Sequence, residues 1–333
     1  MPATVAYRRA LRLLADELGC SPAEEAVLEA RGRLEPGAHA NNLLQRGGAG
    51  QLLLDHGFSV PDAFTPEEHR RAVRLPQRDI VRLEAVAESL IGPSDEAAGW
   101  LEAVRGRLRA EVRAGAVAVK AITAYRASLR LTRPEMSSVA GAYAALRHRA
   151  REGEPVRVSG DTLCHALLWA AAGECAALGV PLQLHTGFGD PDEDLAEASP
   201  LGLRPLLREE GLRGLRVVLL HTYPYHREAA YLCSVYPDVY MDLSLAIPLA
   251  AADGARALAE ALGLCPWTKL LYASDASRLP ELYFVAGVLH RQALADALGA
   301  LVGDGTLTPS LAEEAGRQVL AGNARRVYRL AGS

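Results

Sequence analysis

Leu182-Gln183-Leu184-His185-Thr186-Gly187-Phe188-Gly189-Asp190 is an apolar run of strand character that ends on a histidine and passes into a glycine-rich turn. One βα unit later Val217-Val218-Leu219-Leu220-His221-Thr222 repeats the arrangement, and Leu270-Leu271-Tyr272-Ala273-Ser274-Asp275 ends a third apolar run on a carboxylate. A lone strand histidine is more often structural than functional. Three strand ends bearing imidazole or carboxylate are harder to dismiss as packing, because the C-terminal ends of parallel strands in a barrel converge on one mouth. Lys120 ends a fourth run, Ala116-Val117-Ala118-Val119-Lys120.

Outward from these runs, short leucine-rich or β-branched segments alternate with longer helical ones, the sequence form of repeated βα units. The pattern predicts strands over Gln51–Asp55, Ile80–Ala85, Ala116–Thr123, Leu182–His185, Arg216–His221, Val239–Leu243 and Leu270–Ser274. Helices are predicted over Asp95–Ala114, Ser137–Arg151, Asp161–Leu178, His226–Tyr236, Gly254–Leu262 and Pro280–Val302. No strand is followed by a GxGxxG or GxxxxGK[ST] loop, which weakens an open nucleotide-binding sheet and favours an α/β barrel of the (β/α)8, TIM type. The expected organisation is one barrel domain over residues 1–333. It has a helical N-terminal segment, residues 1–48, and a C-terminal helix, residues 308–330, opened by Thr308 as N-cap and Pro309 at its first position. Seven strands are one short of eight, and nothing before Gln51 reads as the missing one.

Composition excludes several classes. The 333 residues carry 36 Lys plus Arg against 40 Asp plus Glu, a net charge of −4, with 50% hydrophobic residues. Collagen, coiled coil, disulfide miniprotein and disordered chain each need a bias that is absent. The scattered basic residues make nucleic acid an unexpected partner. The longest weakly charged stretch, Thr162 to Leu184, contains His165, Glu174 and Pro181, so no membrane association is expected, and the N-terminus has no signal-peptide core. The cytoplasm is the expected location. Cys20, Cys164, Cys175, Cys233 and Cys265 form no CxxC pair and read as buried free thiols.

Neutral imidazole and carboxylate suit a divalent metal, Zn²⁺ foremost with Mn²⁺ or Fe²⁺ as alternatives, and a catalytic site needs about three such donors with a position left for water. His185, His221 and Asp275 are the candidates. Lys120 is an odd cation at a strand end: carbamylation would make it an anionic oxygen ligand, and an ion pair with Glu84 on the preceding strand is the structural alternative. Arg126 could meet a substrate carboxylate through both guanidinium nitrogens or lie at the surface. His226, in the loop after His221, could touch substrate. His56 would face the mouth from the first strand. Glu84, Tyr125 and Arg278 are pocket candidates by strand-end position alone.

These motifs, with His221-Thr222-Tyr223-Pro224-Tyr225-His226-Arg227-Glu228, Val235-Tyr236-Pro237-Asp238-Val239-Tyr240-Met241-Asp242 and Asn323-Ala324-Arg325-Arg326-Val327-Tyr328, resemble the amidohydrolase-related family. The resemblance runs from about Val5 to the C-terminus and is nearest to the branch also found fused to glutamine-synthetase-like domains. It implies a metal-dependent hydrolase barrel with His185 and His221 as metal ligands from strands five and six. Asp275 from strand eight would be both ligand and proton shuttle, and Lys120 would stand at the end of strand four. The reaction it implies is metal-activated attack of water on a C–N (amide) or ester carbonyl of a small molecule. A γ-glutamyl-type amide is one such substrate, and a non-oxidative decarboxylase of the same superfamily is the neighbouring alternative.

The family pattern begins with a His-x-His on strand one, and no two histidines of this sequence stand two apart. Three explanations compete: translation begins upstream of Met1, the protein is a metal-poor relative that binds without turnover, or the helical N-terminus supplies a substitute such as His39. A barrel without its first strand leaves the edges of strands two and eight unpaired, which invites association or aggregation. A homo-oligomer and a functional association with a glutamine-synthetase-like protein are the partner expectations beyond a small-molecule substrate.

Overall fold

The computed structural model describes residues 2–57 and 63–330. Its centre is a parallel sheet whose strands lie side by side in chain order: β1 (Leu52–Asp55), β2 (Gln77–Arg82), β3 (Ala118–Ala121), β4 (Leu182–Thr186), β5 (Val217–His221), β6 (Val239–Asp242) and β7 (Leu270–Leu271). The register aligns the strands' C-terminal ends, pairing Arg82 with Lys120 and Thr186 with His221. The sheet curls into a barrel wall, and among the described residues β1 and β7 are not paired with each other. The helix Pro36–Arg46 packs on the long helix Pro280–Gly303, with Gly287 set so tightly against the Gly47 carbonyl that a Cβ would collide with it.

Strand periodicity explains the layers. Residues of β3, β4 and β5 are buried throughout, as a parallel sheet covered on both faces requires. One face, with Val119, Leu182, Leu184, Val217, Leu219 and Met241, packs under the helices. The other points inward, where Ile80, Ala118, Val218, Leu220 and Leu271 meet Val327 and Tyr328 from the C-terminal helix. Tyr328 seals the floor by accepting a hydrogen bond from Gln183 at 2.7 Å, and Asn323 donates to the Leu270 carbonyl at 2.8 Å. The inward face of each strand then rises to its C-terminal end, where the polar residues stand.

Several elements differ from the periodicity reading. β2 lies three residues earlier than expected, and its predicted last residues open the helix Leu83–Ser89, which buries Leu83, Glu84 and Ala87 on one face. β3 and β7 are shorter than predicted, with the chain leaving the ladder at Ile122 and Tyr272. The C-terminal helix is α-helical over Pro309–Arg317 and Asn323–Val327 with a π-helical turn, Gln318–Gly322, between them. Thr308 does cap it, accepting from the Leu311 amide. The five cysteines are all free and four are buried. No described helix is long and apolar enough to cross a membrane.

Candidate active site at the barrel mouth

By alternation, Asp55 follows Leu53 inward, Arg82 follows Ile80, Lys120 follows Ala118, His185 follows Gln183 and Asp242 follows Tyr240. Five strands thus each place one polar side chain at the inner rim. His221 departs from the rule. Its neighbours Val218 and Leu220 point inward, so alternation would turn His221 toward the helices with Val217 and Leu219. Its backbone instead takes a left-handed conformation, φ 68°, followed by Thr222 at 56°, and the ring comes to lie beside His185 with centroids 4.5 Å apart.

Asp242 holds that turn. Its Oδ1 accepts from the His221 amide at 2.8 Å, the Ser244 amide at 3.0 Å and the Ser244 hydroxyl at 2.7 Å, while Ser244 Oγ stands 2.8 Å from His221 Nδ1. Burial pushes the Asp242 carboxyl up, against the opposing pull of these hydrogen bonds. Burial also lowers the His221 imidazole well below its ordinary range, helped by His185 and Lys120, so the ring is neutral and available as a donor to an electrophile.

Asp275, beyond β7, approaches from the other side, with Oδ2 3.9 Å from His221 Nδ1 and Oδ1 3.9 Å from Lys120 Nζ. Its backbone is left-handed as well, φ 50°, as is Arg278 at 64°. Burial raises the Asp275 carboxyl, with Lys120 and His185 opposing. Lys120 Nζ also lies 3.6 Å from Asp55 Oδ2. Asp55 in turn takes the Arg82 guanidinium, with Nε at 2.9 Å. Burial alone would raise the Asp55 carboxyl, but Arg82 and Lys120 together lower it.

The glycine-rich turn fits this geometry. Gly187 has φ 75° and lies against the backbone of Thr222 and Tyr223, where a Cβ would collide with the Tyr223 carbonyl. Phe188 donates to that same carbonyl at 2.7 Å, tying the loops after β4 and β5 together. Gly189 leaves room for the Tyr125 hydroxyl and the Glu193 carboxylate. The Tyr125 ring packs 4.4 Å from His185, and Glu193 Oε2 stands 3.1 Å from His185 Nε2, its Oε1 buried without a partner.

The structure therefore gathers His185, His221, Asp275 and Lys120, with Tyr125, at one rim. Other expected residues lie apart from the histidine pair. His226 Nε2 is 2.8 Å from Glu260 Oε2 and its ring stacks on Tyr223, so it braces the loop after β5. Lys120 does not pair with Glu84, because Glu84 sits in the helix after β2 and its Oε1 accepts from the Ile122 amide at 2.9 Å. Burial pushes the Glu84 carboxyl up to about 7, and its Oε2 has no partner. Arg126 is held by Glu88 at 3.2 Å with its buried Nε left over. His39 is no substitute ligand at the rim: it stands 3.2 Å from Glu281 Oε1. His56 likewise faces Asp79 Oδ1 at 3.2 Å.

Sequence reading missed Asp55, Arg82, Asp242, Ser244 and Glu193. For the first three the signal exists, a polar residue at the C-terminal end of a strand. Glu193 lies in a loop and has none.

The chain matches the amidohydrolase family over residues 55–330. It is 30% identical to Protein fluG of Emericella nidulans across 84% of this chain and 35% of that protein, and so spans about a third of the length of this curated relative. A crystal structure from Lactobacillus casei ATCC 334, provisionally described as a metal-dependent hydrolase, superposes with a TM-score of 0.89 at 29% identity, covering 98% of this chain and 85% of that chain. A uronate isomerase from Thermotoga maritima shares the fold, with a TM-score of 0.68 at 14% identity over 97% of this chain and 78% of that one. A rim of inward imidazoles and carboxylates on a curled parallel sheet, matched along most of its length, places this chain in the amidohydrolase family, with the fold of that superfamily's metal-dependent hydrolases.

Proposed function

We propose that this chain hydrolyses an amide bond of a small molecule at the barrel mouth, assisted by a divalent metal ion. The supporting observation is the meeting of His185, His221 and Asp275 from three distant parts of the chain. In kind these donors fit Zn²⁺, with Mn²⁺ or Fe²⁺ as alternatives. Among the described residues no three His, Cys, Asp or Glu side chains converge closely enough to hold an ion as they stand. His185 is engaged by Glu193, His221 by Ser244 and Asp275 by Lys120, and these contacts give way when the three donors turn to an ion. When bound, the ion polarises a carbonyl and lowers the pKa of water to about 7.

The chain's own groups supply the rest. Asp275, its carboxyl raised by burial and its side chain 33% open, takes the proton of the attacking water at Oδ2 and returns it to the leaving nitrogen. The Tyr125 oxygen accepts from the Asp190 amide at 3.1 Å, which leaves its own O–H to donate to the substrate carbonyl oxygen. Arg126, steadied by Glu88, is the cation for a substrate carboxylate, and the buried Glu84 lies close enough to feel its charge. A carboxylate-bearing amide of the γ-glutamyl type suits that end of the site and the expected association with a glutamine-synthetase-like protein.

His185→Ala and His221→Ala are each expected to strip the protein of retained divalent metal on dialysis. Each should also lower turnover of a panel of carboxylate-bearing amides, assayed with added Zn²⁺ or Mn²⁺, by about a thousandfold or more, the size expected when a group central to transition-state stabilisation is lost. Metal retention equal to that of the parent protein removes the residue from the site.

A further inference from the structure

We infer that Lys120 is the resident cation of the mouth: its ammonium group holds the carboxylates of Asp55 and Asp275 together and competes with an incoming divalent ion for Asp275. The inference rests on Asp275 being a metal donor, as proposed above.

The geometry carries it. Lys120 Nζ lies 3.6 Å from Asp55 Oδ2 and 3.9 Å from Asp275 Oδ1, and the lysine and Asp55 side chains are each 11% exposed. These carboxylates come from the two ends of the sheet that hydrogen bonds do not join among the described residues, β1 and the segment after β7. One ammonium therefore spans the seam. Asp55 has a second cation in Arg82, so Asp275 is the more readily surrendered partner.

Composition points the same way. Of the 36 lysines and arginines, only Lys120 and Lys269 are lysine. Lys269 has a structural task, donating to the Cys233 and Tyr236 carbonyls at 2.7 Å each. In a chain that otherwise uses arginine, a lysine between two carboxylates supplies what the planar guanidinium cannot, a compact charge on a flexible stem that can withdraw. Carbamylation would place a third negative group beside Asp55 and Asp275, which both repel it.

Competition for one carboxylate means that the lysine weakens metal binding. Equilibrium dialysis against Zn²⁺ and Mn²⁺, with and without bicarbonate, is the test. Lys120→Met is expected to bind at least tenfold more tightly than the parent protein, Lys120→Arg to stay near or below the parent, and Asp275→Asn to bind more weakly. Unchanged or weaker binding by Lys120→Met overturns the inference, and weaker binding together with bicarbonate-dependent binding by the parent makes Lys120 a carbamylated ligand instead. If Asp275→Asn binds as well as the parent, the functional reading fails first.

A second readout needs no metal. Lysine labelled with ¹⁵N at Nζ gives side-chain signals from Lys120 and Lys269 alone. Asp275→Asn should move the Lys120 signal and leave Lys269 in place, and an unmoved Lys120 signal overturns the inference whatever the dialysis shows.

Discussion

Replacing Asp242 with alanine is expected to destabilise the protein by about 4 kcal/mol and to release His221 from the mouth, while asparagine at the same position costs a small fraction of that. One carboxylate oxygen accepts three hydrogen bonds, from the His221 and Ser244 amides and the Ser244 hydroxyl, in a buried site. Alanine strands the two amides away from water at about 1–3 kcal/mol each and leaves the Ser244 hydroxyl only His221 Nδ1 to turn to. Asparagine keeps the acceptor and removes a charge that burial already disfavours. Urea unfolding of the two variants decides the matter, and equal stability would show that the oxygen is not what holds the turn.

Glu84→Gln is expected to stabilise the protein by about 3 kcal/mol at pH 8 and by almost nothing below pH 4.5. The Glu84 carboxyl rises from an ordinary 4.5 to about 7 in the folded chain, chiefly because burial penalises the charge, although the Ile122 amide, Arg82 and Arg126 favour it. A carboxyl whose folded pKa exceeds its unfolded one is uncharged in the native state at low pH. Its contribution is intact below 4.5 and falls away as the pH climbs through about 7, at ~1.4 kcal/mol per pH unit of the gap. Glutamine retains the acceptor for the Ile122 amide and has no charge to bury. Urea unfolding of both proteins between pH 4.5 and 8 measures the divergence, and parallel curves would mean that Glu84 stays ionised inside the fold.

The strands were readable because a parallel sheet covered on both faces must be apolar along its whole length, as Val217 to Leu220 and Leu182 to Leu184 are. The ends of the elements were less so. Leu83 to Ala87 satisfies a buried strand and a half-buried helix equally well, and only the tertiary setting assigned it to the helix. Strand-end position located His185, His221, Lys120 and Asp275, which the structure brings to one rim. It could not show that His221 reaches that rim by breaking the alternation, since the cause is Asp242, a strand away. Partners of long side chains were equally hidden: Lys120 finds Asp55 on β1 rather than Glu84, which sits in the helix after β2. Glu193 and Ser244 lie in irregular segments whose course no periodicity records.

Four residues around the opening, His221, Thr222, Asp275 and Arg278, hold left-handed backbone that non-glycine residues adopt at about 1–3 kcal/mol apiece. The surrounding packing must outweigh that cost continuously. On warming, the rim is accordingly expected to let go before the helical layers beneath it. Any activity at the mouth is therefore expected to fade on heating at a temperature where the barrel itself is still folded.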